Sequence, residues 1–326
     1  MQARLMTTIA NVYDSLGLQA EARPLYEKAY QIRRHALGMD HPDTLRSLGN
    51  LSNMFASEGS YAESMRYARE SVDAHRRVLG PDAPETLEQM QNLASALTTM
   101  DKLDEAEELY RKVLDSYRRQ RGDDHPTILI IMGNLGQVLY REGKLTDSER
   151  YLKEALDRRQ SVLGRDHPDT LWTVYAMAQL RRKQGRLPEA EAYYRQASEG
   201  RRHILPPGHI RIGTTATQLG EVLNEQEKYR EAESVLREAL AILPTDRPNE
   251  VGEAQTSLGH ALVGQRRFLE AEPLLLEGYA RQVTSASADE SVKRQALKDL
   301  IALYAALGKP EKGTVWRKKL EAQPVK

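Results

Sequence analysis

The sequence predicts an all-α fold, a solenoid built from helix-turn-helix repeats. Three observations predict it: self-similarity at a spacing of 42 residues, apolar positions recurring every three or four residues inside each unit, and helix-breaking residues at fixed places between the stripes. Three columns set the register. Asn50-Leu51, Asn92-Leu93 and Asn134-Leu135 form one, continued by Ala176-Met177 and Gln218-Leu219. Gly17, Gly59, Gly143 and Gly185 form a second, with Asp101 and Glu227 as exceptions. The third runs Glu21-Ala22, Glu63-Ser64, Glu105-Ala106, Asp147-Ser148, Glu189-Ala190 and Glu231-Ala232, then reaches Glu270-Ala271 after 39 residues because the connection around 243–249 is shorter.

The elements follow in order. The first unit, 1–40, enters a helical stripe at once with Leu5, Ile9, Val12, Tyr13 and Leu16, and turns at Gly17. In unit 41–82, Leu45, Leu48, Leu51 and Phe55 make the first helix and Gly59 ends it. Unit 83–124 shows the second helix best, in Leu103, Ala106, Leu109, Tyr110, Val113, Leu114 and Tyr117. Its turn at Asp101 puts a non-glycine residue where a left-handed backbone is needed, as Glu227 does later, at some cost. Units 125–166 and 167–208 repeat the pattern, and 209–247 departs from it with His209-Ile210 in place of His-Pro and two prolines in Leu205–His209. A seventh unit spans 248–286, and a degenerate capping unit, 287–326, ends on the basic stretch KGTVWRKKLEAQPVK. Two helices of roughly 16 residues cannot bury both apolar faces alone, so each pair must pack on its neighbours.

Composition limits the function classes. Lysine plus arginine equals aspartate plus glutamate at 47 each among 326 residues, and mean hydropathy is -0.63, so no net charge draws the chain to nucleic acid or anionic membrane. There is no cysteine, which excludes disulfides and thiolate chemistry. No apolar run is long enough to span a membrane and the N-terminus lacks a signal-peptide core, so a cytoplasmic location is expected. The uncapped start at Met1 suggests a fragment of a longer protein.

The pattern Leu-x-x-Asn-Leu, a small residue, an aromatic or leucine, glycine, then Tyr/Leu-x-Glu-Ala resembles the tetratricopeptide repeat. The linker LG-x-DHPDT and the 42-residue length are similar to the kinesin light chain type. This resemblance implies a right-handed superhelical α-solenoid with a concave groove lined by first helices, where a peptide or protein segment lies. Comparable arrays are common in bacterial proteins, including segments attached to serine/threonine kinases. The resemblance therefore also raises a second reading, the regulatory or sensor region of a larger bacterial signalling protein whose catalysis lies outside this chain.

The chain's own chemistry points away from an enzyme. HPDTL occurs at His41–Leu45 and again at His167–Leu171, and its histidine column continues at His125 and His209. Residues a whole repeat apart cannot share one metal ion, whose ligands lie about 2 Å from it. Pro42 and Pro168 suit a first helical turn, and Asp43 and Asp169 complement the positive end of the helix dipole. The same column reads APETL at Ala83–Leu87, without histidine. The carboxylate pairs Glu107-Glu108 and Asp123-Asp124 read as solvated charges, and the basic runs at Arg118–Arg121, Arg181–Lys183 and Arg201–His203 lack the stacking aromatics of a single-strand binder. No phosphate loop, nucleophile elbow or kinase segment occurs. No catalytic residue, metal or cofactor is expected, and nucleic acid and membrane are not expected partners.

Helical spacing assigns the candidate groove. With Leu48, Leu51 and Phe55 buried, Arg46, Asn50, Asn53 and Ser57 face the other way, and the equivalents are Glu88, Asn92 and Ser95, then Asn134, Gln137 and Arg141. Next come Trp172, Tyr175, Gln179, Arg182 and Lys183, then Thr214, Gln218, Glu221 and Asn224. The asparagine and glutamine ladder has two readings that can coexist: amides bonding a bound peptide backbone, or amides bonding adjacent first helices to set the repeat angle. Arg141, Arg182 and Lys183 would attract an acidic segment. Trp172 and Tyr175 are candidate aromatic anchors, Trp172 equally a wedge between repeats. Self-association is expected at the solenoid ends, around Leu5 and Ile9.

Overall fold

A computed structural model of the chain describes residues 1–122, 125–284 and 290–322; Asp123-Asp124 and the last four residues of the basic C-terminal stretch lie outside them. Among the described residues there are sixteen α-helices and no strand. They gather into two compact units, Met1–Arg158 and Arg159–Lys326. The first holds α1 (Gln2–Ser15), α2 (Gln19–Leu37), α3 (Pro42–Ser57), α4 (Tyr61–Leu79), α5 (Pro84–Thr99), α6 (Leu103–Arg121) and α7 (Pro126–Arg141), and the boundary falls inside α8 (Leu145–Val162). The second holds α9 (Pro168–Lys183), α10 (Leu187–Ile204), α11 (Ile210–Glu225), α12 (Tyr229–Ile242), α13 (Pro248–Gly264), α14 (Phe268–Val283), α15 (Glu290–Ala306) and α16 (Pro310–Glu321). Each unit is an all-α solenoid segment in which odd-numbered first helices and even-numbered second helices alternate.

The recurring histidine turns out to be a cap. Nδ1 of His41, His125, His167 and His209 accepts the backbone N–H two residues on, at 3.1, 3.3, 3.2 and 3.1 Å, which satisfies one of the orphan donors at the start of α3, α7, α9 and α11. Proline follows at the first helical position of α3, α5, α7 and α9, where its missing N–H costs nothing. Ala83, the same position ahead of α5, offers no side-chain cap.

Each first helix ends in a left-handed residue that closes a Schellman turn, as where Ser60 N–H donates to Phe55 O at 2.9 Å around Gly59. Asp101 and Glu227 take this backbone with φ of 59°, as their positions in the glycine column require, and Arg266 joins them at 60°. The following second helix packs back closely. At Gly220 a Cβ would meet Leu236 Cγ at 2.4 Å, so only glycine lets α11 and α12 approach as they do.

In the first unit the core is Leu45, Leu48, Leu51 and Phe55 of α3 with Tyr26 and Tyr30 of α2, and a second cluster joins Leu93 and Leu97 of α5 to Tyr110, Val113, Met132 and Leu135. In the second unit Leu219, Val222 and Leu223 of α11 pack with Tyr194, Leu236, Leu258, Leu262 and Leu300. These stripes leave the opposite face of each first helix for polar residues.

Candidate functional site

In the first unit, α3 and α5, with His75 and Leu79 of α4, line a depression of about 440 Å³ whose wall includes Arg46, Asn50, Asn53, Glu88, Gln89 and Asn92. Asn50 and Asn92 are half-buried, and Arg46, Asn53 and Glu88 are exposed. Among the described residues no hydrogen bond joins the side-chain amides of Asn50, Asn53 or Asn92 to a neighbouring helix. Among the described residues Arg46 pairs only with Asp43 of its own helix, at 3.4 Å on the surface. These polar groups therefore face the depression with donors and acceptors still to fill.

On α7, Asn134 and Gln137 are half-buried. Burial pushes the Tyr110 hydroxyl up to about 12, while Thr98, Asn134 and Ser95 pull the other way. Arg141 donates to the Thr98 carbonyl at 2.6 Å and to Asp101 at 2.9 Å, so its charge is engaged by the left-handed turn of the preceding repeat.

Glu107 differs from the sequence expectation of a solvated charge. It is buried, and it receives Lys144 at 2.6 Å and Arg111 at 2.7 Å. Lys144 also reaches Glu142, at 2.9 Å. The stacking of α6 on the α7–α8 turn brings these groups together, which neighbouring residues in sequence cannot reveal. Burial and the nearby Glu107 raise the Glu142 carboxyl, whereas the bonds from Lys144 and Glu142 bring Glu107 down despite its burial. Asp104, Glu107 and Glu142 lie close enough to hold an ion, but the Lys144 ammonium already supplies positive charge to Glu107 and Glu142.

The second unit spends its polar ladder on itself. Arg182 of α9 donates to Gln218 at 3.0 Å and pairs with Glu221 at 2.6 Å and Glu225 at 2.5 Å, all on α11. Burial alone would lower the Arg182 pKa, but the charges of Glu221 and Glu225 outweigh it and hold the guanidinium above its usual range. Gln218 donates to Glu253 of α13 at 2.7 Å, and Asn224 donates to the Ser257 carbonyl at 2.8 Å. Glu221 and Asn224 are buried. His260 Nδ1 faces both carboxylate oxygens of Asp299 at 2.9 Å, and Gln295 donates to the same carboxylate at 3.0 Å. Burial opposes protonation of His260, yet the Asp299 bond and charge, with the charge of Glu225, raise its pKa.

Both aromatic candidates are engaged. Trp172 is half-buried with the Arg159 guanidinium 5.8 Å from its ring centroid. Tyr175 packs edge-on against Tyr194 at 5.5 Å with Arg201 over its face at 4.6 Å, and burial pushes its hydroxyl up to about 12. Gln179 is half-buried and Lys183 exposed. The basic runs are largely paired: Arg118 with Glu154, Arg119 with Asp82, Arg181 with Glu189 and Arg202 with Glu238.

Sequence reasoning misses three arginines, Arg159 and Arg201 buried and Arg33 half-buried, that tie α2, α8 and α10 each to the first helix that follows. Arg33 donates to Ser47 at 2.7 Å, and Arg159 and Arg201 donate to Thr173 and Thr215. The signal is present as an arginine with a hydroxyl residue 14 positions later, replaced by the apolar pair Tyr117 and Ile131 in another unit. The role of His260, Asp299 and Gln295 carries no such signal.

The family profile described as Tetratricopeptide repeat matches residues 1–77, 53–119, 86–145, 127–203 and 175–245. No curated protein matches. Among solved structures, the apo form of the quorum sensor NprR from B. thuringiensis is similar at 12% identity over 98% of this chain and 86% of that one, with a TM-score of 0.67. The apo form of RapI is similar at 12% identity over 99% and 100%, with a TM-score of 0.56. Nearly identical TPR-like repeats of a Podosopora anserina protein described as a kinesin light chain share 22% identity over 63% of this chain and 99% of that one, with a TM-score of 0.56. At these identities the likeness is one of fold.

Proposed function

Because the chain belongs to the tetratricopeptide repeat family, we propose that it is a non-enzymatic interaction scaffold whose first-helix groove binds a peptide or protein segment. The observation that carries this reading is the depression over α3 and α5, where Asn50, Asn53 and Asn92 offer amide donors and acceptors that, among the described residues, no neighbouring helix uses. A side-chain amide can give and take one hydrogen bond with a peptide backbone, so it holds an extended segment whatever its side chains. The helices that present the amides are fixed by a packed core, so little ordering free energy is spent on binding. In the second unit the amides of Gln218 and Asn224 bond between first helices and set their spacing.

Arg141 and Arg182 are each held by carboxylates of the chain, so the basic middle of the ladder offers an acidic segment little unengaged charge from these two arginines. The test is a peptide-display selection on the whole chain, followed by affinity measurement for Asn50→Ala, Asn53→Ala and Asn92→Ala. Loss of roughly tenfold per amide, about 1.4 kcal/mol, supports the groove; selected peptides indifferent to all three reject it.

A second reading, a sensor or regulatory region within a larger signalling protein, draws on the fold shared with the quorum sensor NprR. Sequencing the native gene on both sides of this segment tests it, and an isolated open reading frame overturns it. Self-association belongs to the same proposal, because Leu5, Ile9 and Val12 of α1, with Leu16 just after it, form an exposed apolar stripe. Sedimentation of Leu5→Glu/Ile9→Glu beside the parent chain tests it; identical mass for both overturns it.

A further inference from the structure

Two junctions of the second unit share one arrangement. Glu191 of α10 accepts from Gln226 at 2.9 Å and from Lys228 at 2.7 Å, and Glu233 of α12 accepts from Gln265 at 2.9 Å and from Arg267 at 2.6 Å. In each, an amide follows the first helix, a left-handed residue comes next, and a cation stands two places after the amide. The glutamate of the preceding second helix thus receives one neutral donor and one charged donor. The junction of α6 with the α7–α8 turn keeps the glutamate as Glu107, the left-handed residue as Gly143 and the cation as Lys144, which donates at 2.6 Å. The place of the amide is taken by Glu142, so an acceptor stands where the other two junctions have a donor.

Glu142 is closed off from water. Its side chain is 7% exposed, and among the described residues neither of its oxygens receives a hydrogen bond. Lys144 stands 2.9 Å from one of them as an ion pair, while its hydrogen bond goes to Glu107. Carboxylate oxygens of Glu107 and Glu142 lie within 4.8 Å of each other. An ionised Glu142 would therefore carry two costs, lost hydration without a donor and repulsion from a like charge. One proton on Glu142 removes both. The neutral acid has an O–H donor and nearly the shape of glutamine, and it leaves a single negative charge between Lys144 and Arg111. A metal ion would compete for a cation position that Lys144 already fills, as Lys228 and Arg267 fill it at the other junctions. The raised carboxyl of Glu142 and the lowered one of Glu107 agree with this division of roles.

We infer that Glu142 keeps a proton above the pH at which an ordinary glutamate ionises and donates it to the Glu107 carboxylate, latching α6 to the α7–α8 turn. The latch consists of one proton on the pair, and its two titration steps belong to the pair. The raised group stabilises fully below its unfolded-state value, and that contribution is lost as pH rises through the folded-state value, where both carboxyls ionise and the junction loosens. The lowered group works in the opposite sense: its contribution is present above the unfolded-state value and is lost as pH falls through the folded-state value, where Lys144 and Arg111 lose their anion. The other charges close by are held elsewhere or exposed. Asp104 of α6 is exposed at the edge of the cluster, Arg141 of α7 pairs with Asp101, and Asp147 of α8 pairs with Arg150.

The test uses the full chain with isotopically labelled glutamate, its carboxyl carbons followed by NMR between about pH 3 and 10. The signals missing from Glu142→Gln and Glu107→Gln assign the pair. Glu142 should hold its neutral-acid signal to a higher pH than the glutamates of the urea-unfolded chain. It should titrate lower in Glu107→Gln, where the like charge is gone and an amide donor takes its place. Glu142→Gln, which restores the amide of the other junctions, should melt above the parent by a margin that widens as pH rises from about 5 to 9. Circular dichroism reads that margin and confirms that the variant folds. The inference is overturned if Glu142 titrates at or below the unfolded-state value, if the margin stays constant across that range, or if calcium chloride moves the Glu107 and Glu142 signals as protons do.

Discussion

Replacing Arg182 with alanine removes a guanidinium shared by three acceptors, Gln218 at 3.0 Å, Glu221 at 2.6 Å and Glu225 at 2.5 Å. The Glu221 side chain is only 9% exposed, and without Arg182 it keeps a single hydroxyl partner, Ser257 at 3.3 Å. Unit charges 4 Å apart attract by about 4 kcal/mol at an effective dielectric near 20. Removing one side of a buried pair costs about 3–5 kcal/mol, because the other charge is stranded. Arg182 is 28% exposed and Glu225 is 39% exposed, so solvent screens part of this and the Glu225 contact adds under about 1 kcal/mol. The expected loss is about 3 kcal/mol. Glu221→Gln in the Arg182→Ala background should recover most of it, leaving a coupling energy of about 2 kcal/mol in the double-mutant cycle. Urea unfolding followed by tryptophan emission reads the right region, since both tryptophans, Trp172 and Trp316, lie in the second unit with Arg182. A loss under about 0.5 kcal/mol, or effects that simply add, would refute the view that this arginine is held by the chain's own carboxylates.

Three further outcomes follow from the same geometry. Glu227 adopts φ of 59° with an exposed side chain, so Glu227→Gly should stabilise the second unit by about 1 kcal/mol in the same urea assay. Ala83 begins α5 without the cap that histidine provides elsewhere, and Ala83→Ser should raise the stability of the first unit by about 1 kcal/mol, read by circular dichroism because that unit has no tryptophan. His260 has a raised pKa, so its contribution is fully present below its ordinary value of 6.5 and is lost as pH rises through the folded-state value. Unfolding between about pH 5 and 9 should therefore show stability falling across neutrality, and His260→Gln should remove that fall; a slope unchanged in the variant contradicts the assignment.

The helix pairs are legible in the sequence because stacking forces every unit to repeat the same stripe, turn and cap. The amides of the first unit are legible for the same reason: once Leu48, Leu51 and Phe55 are buried, Asn50 and Asn53 must turn outward. The partners of Arg141 and Arg182 are not legible. Asp101 lies 40 residues before the one and Glu225 lies 43 after the other, and whether their side chains meet depends on the angle between stacked helices. Counting charges along the ladder thus suggests a basic middle, where stacking supplies a carboxylate for each of these arginines. His41 shows the opposite limit, with its recurrence visible but its capping bond to the Asp43 N–H apparent only in the fold.

The most direct test of the scaffold is a crystal structure of the full chain with a display-selected peptide. The account predicts an extended main chain crossing α3 and α5, with its N–H and C=O groups within about 3.2 Å of the Asn50 and Asn92 amides. A peptide seated instead on the outward face of the second helices, with Asn50, Asn53 and Asn92 left empty, would contradict it.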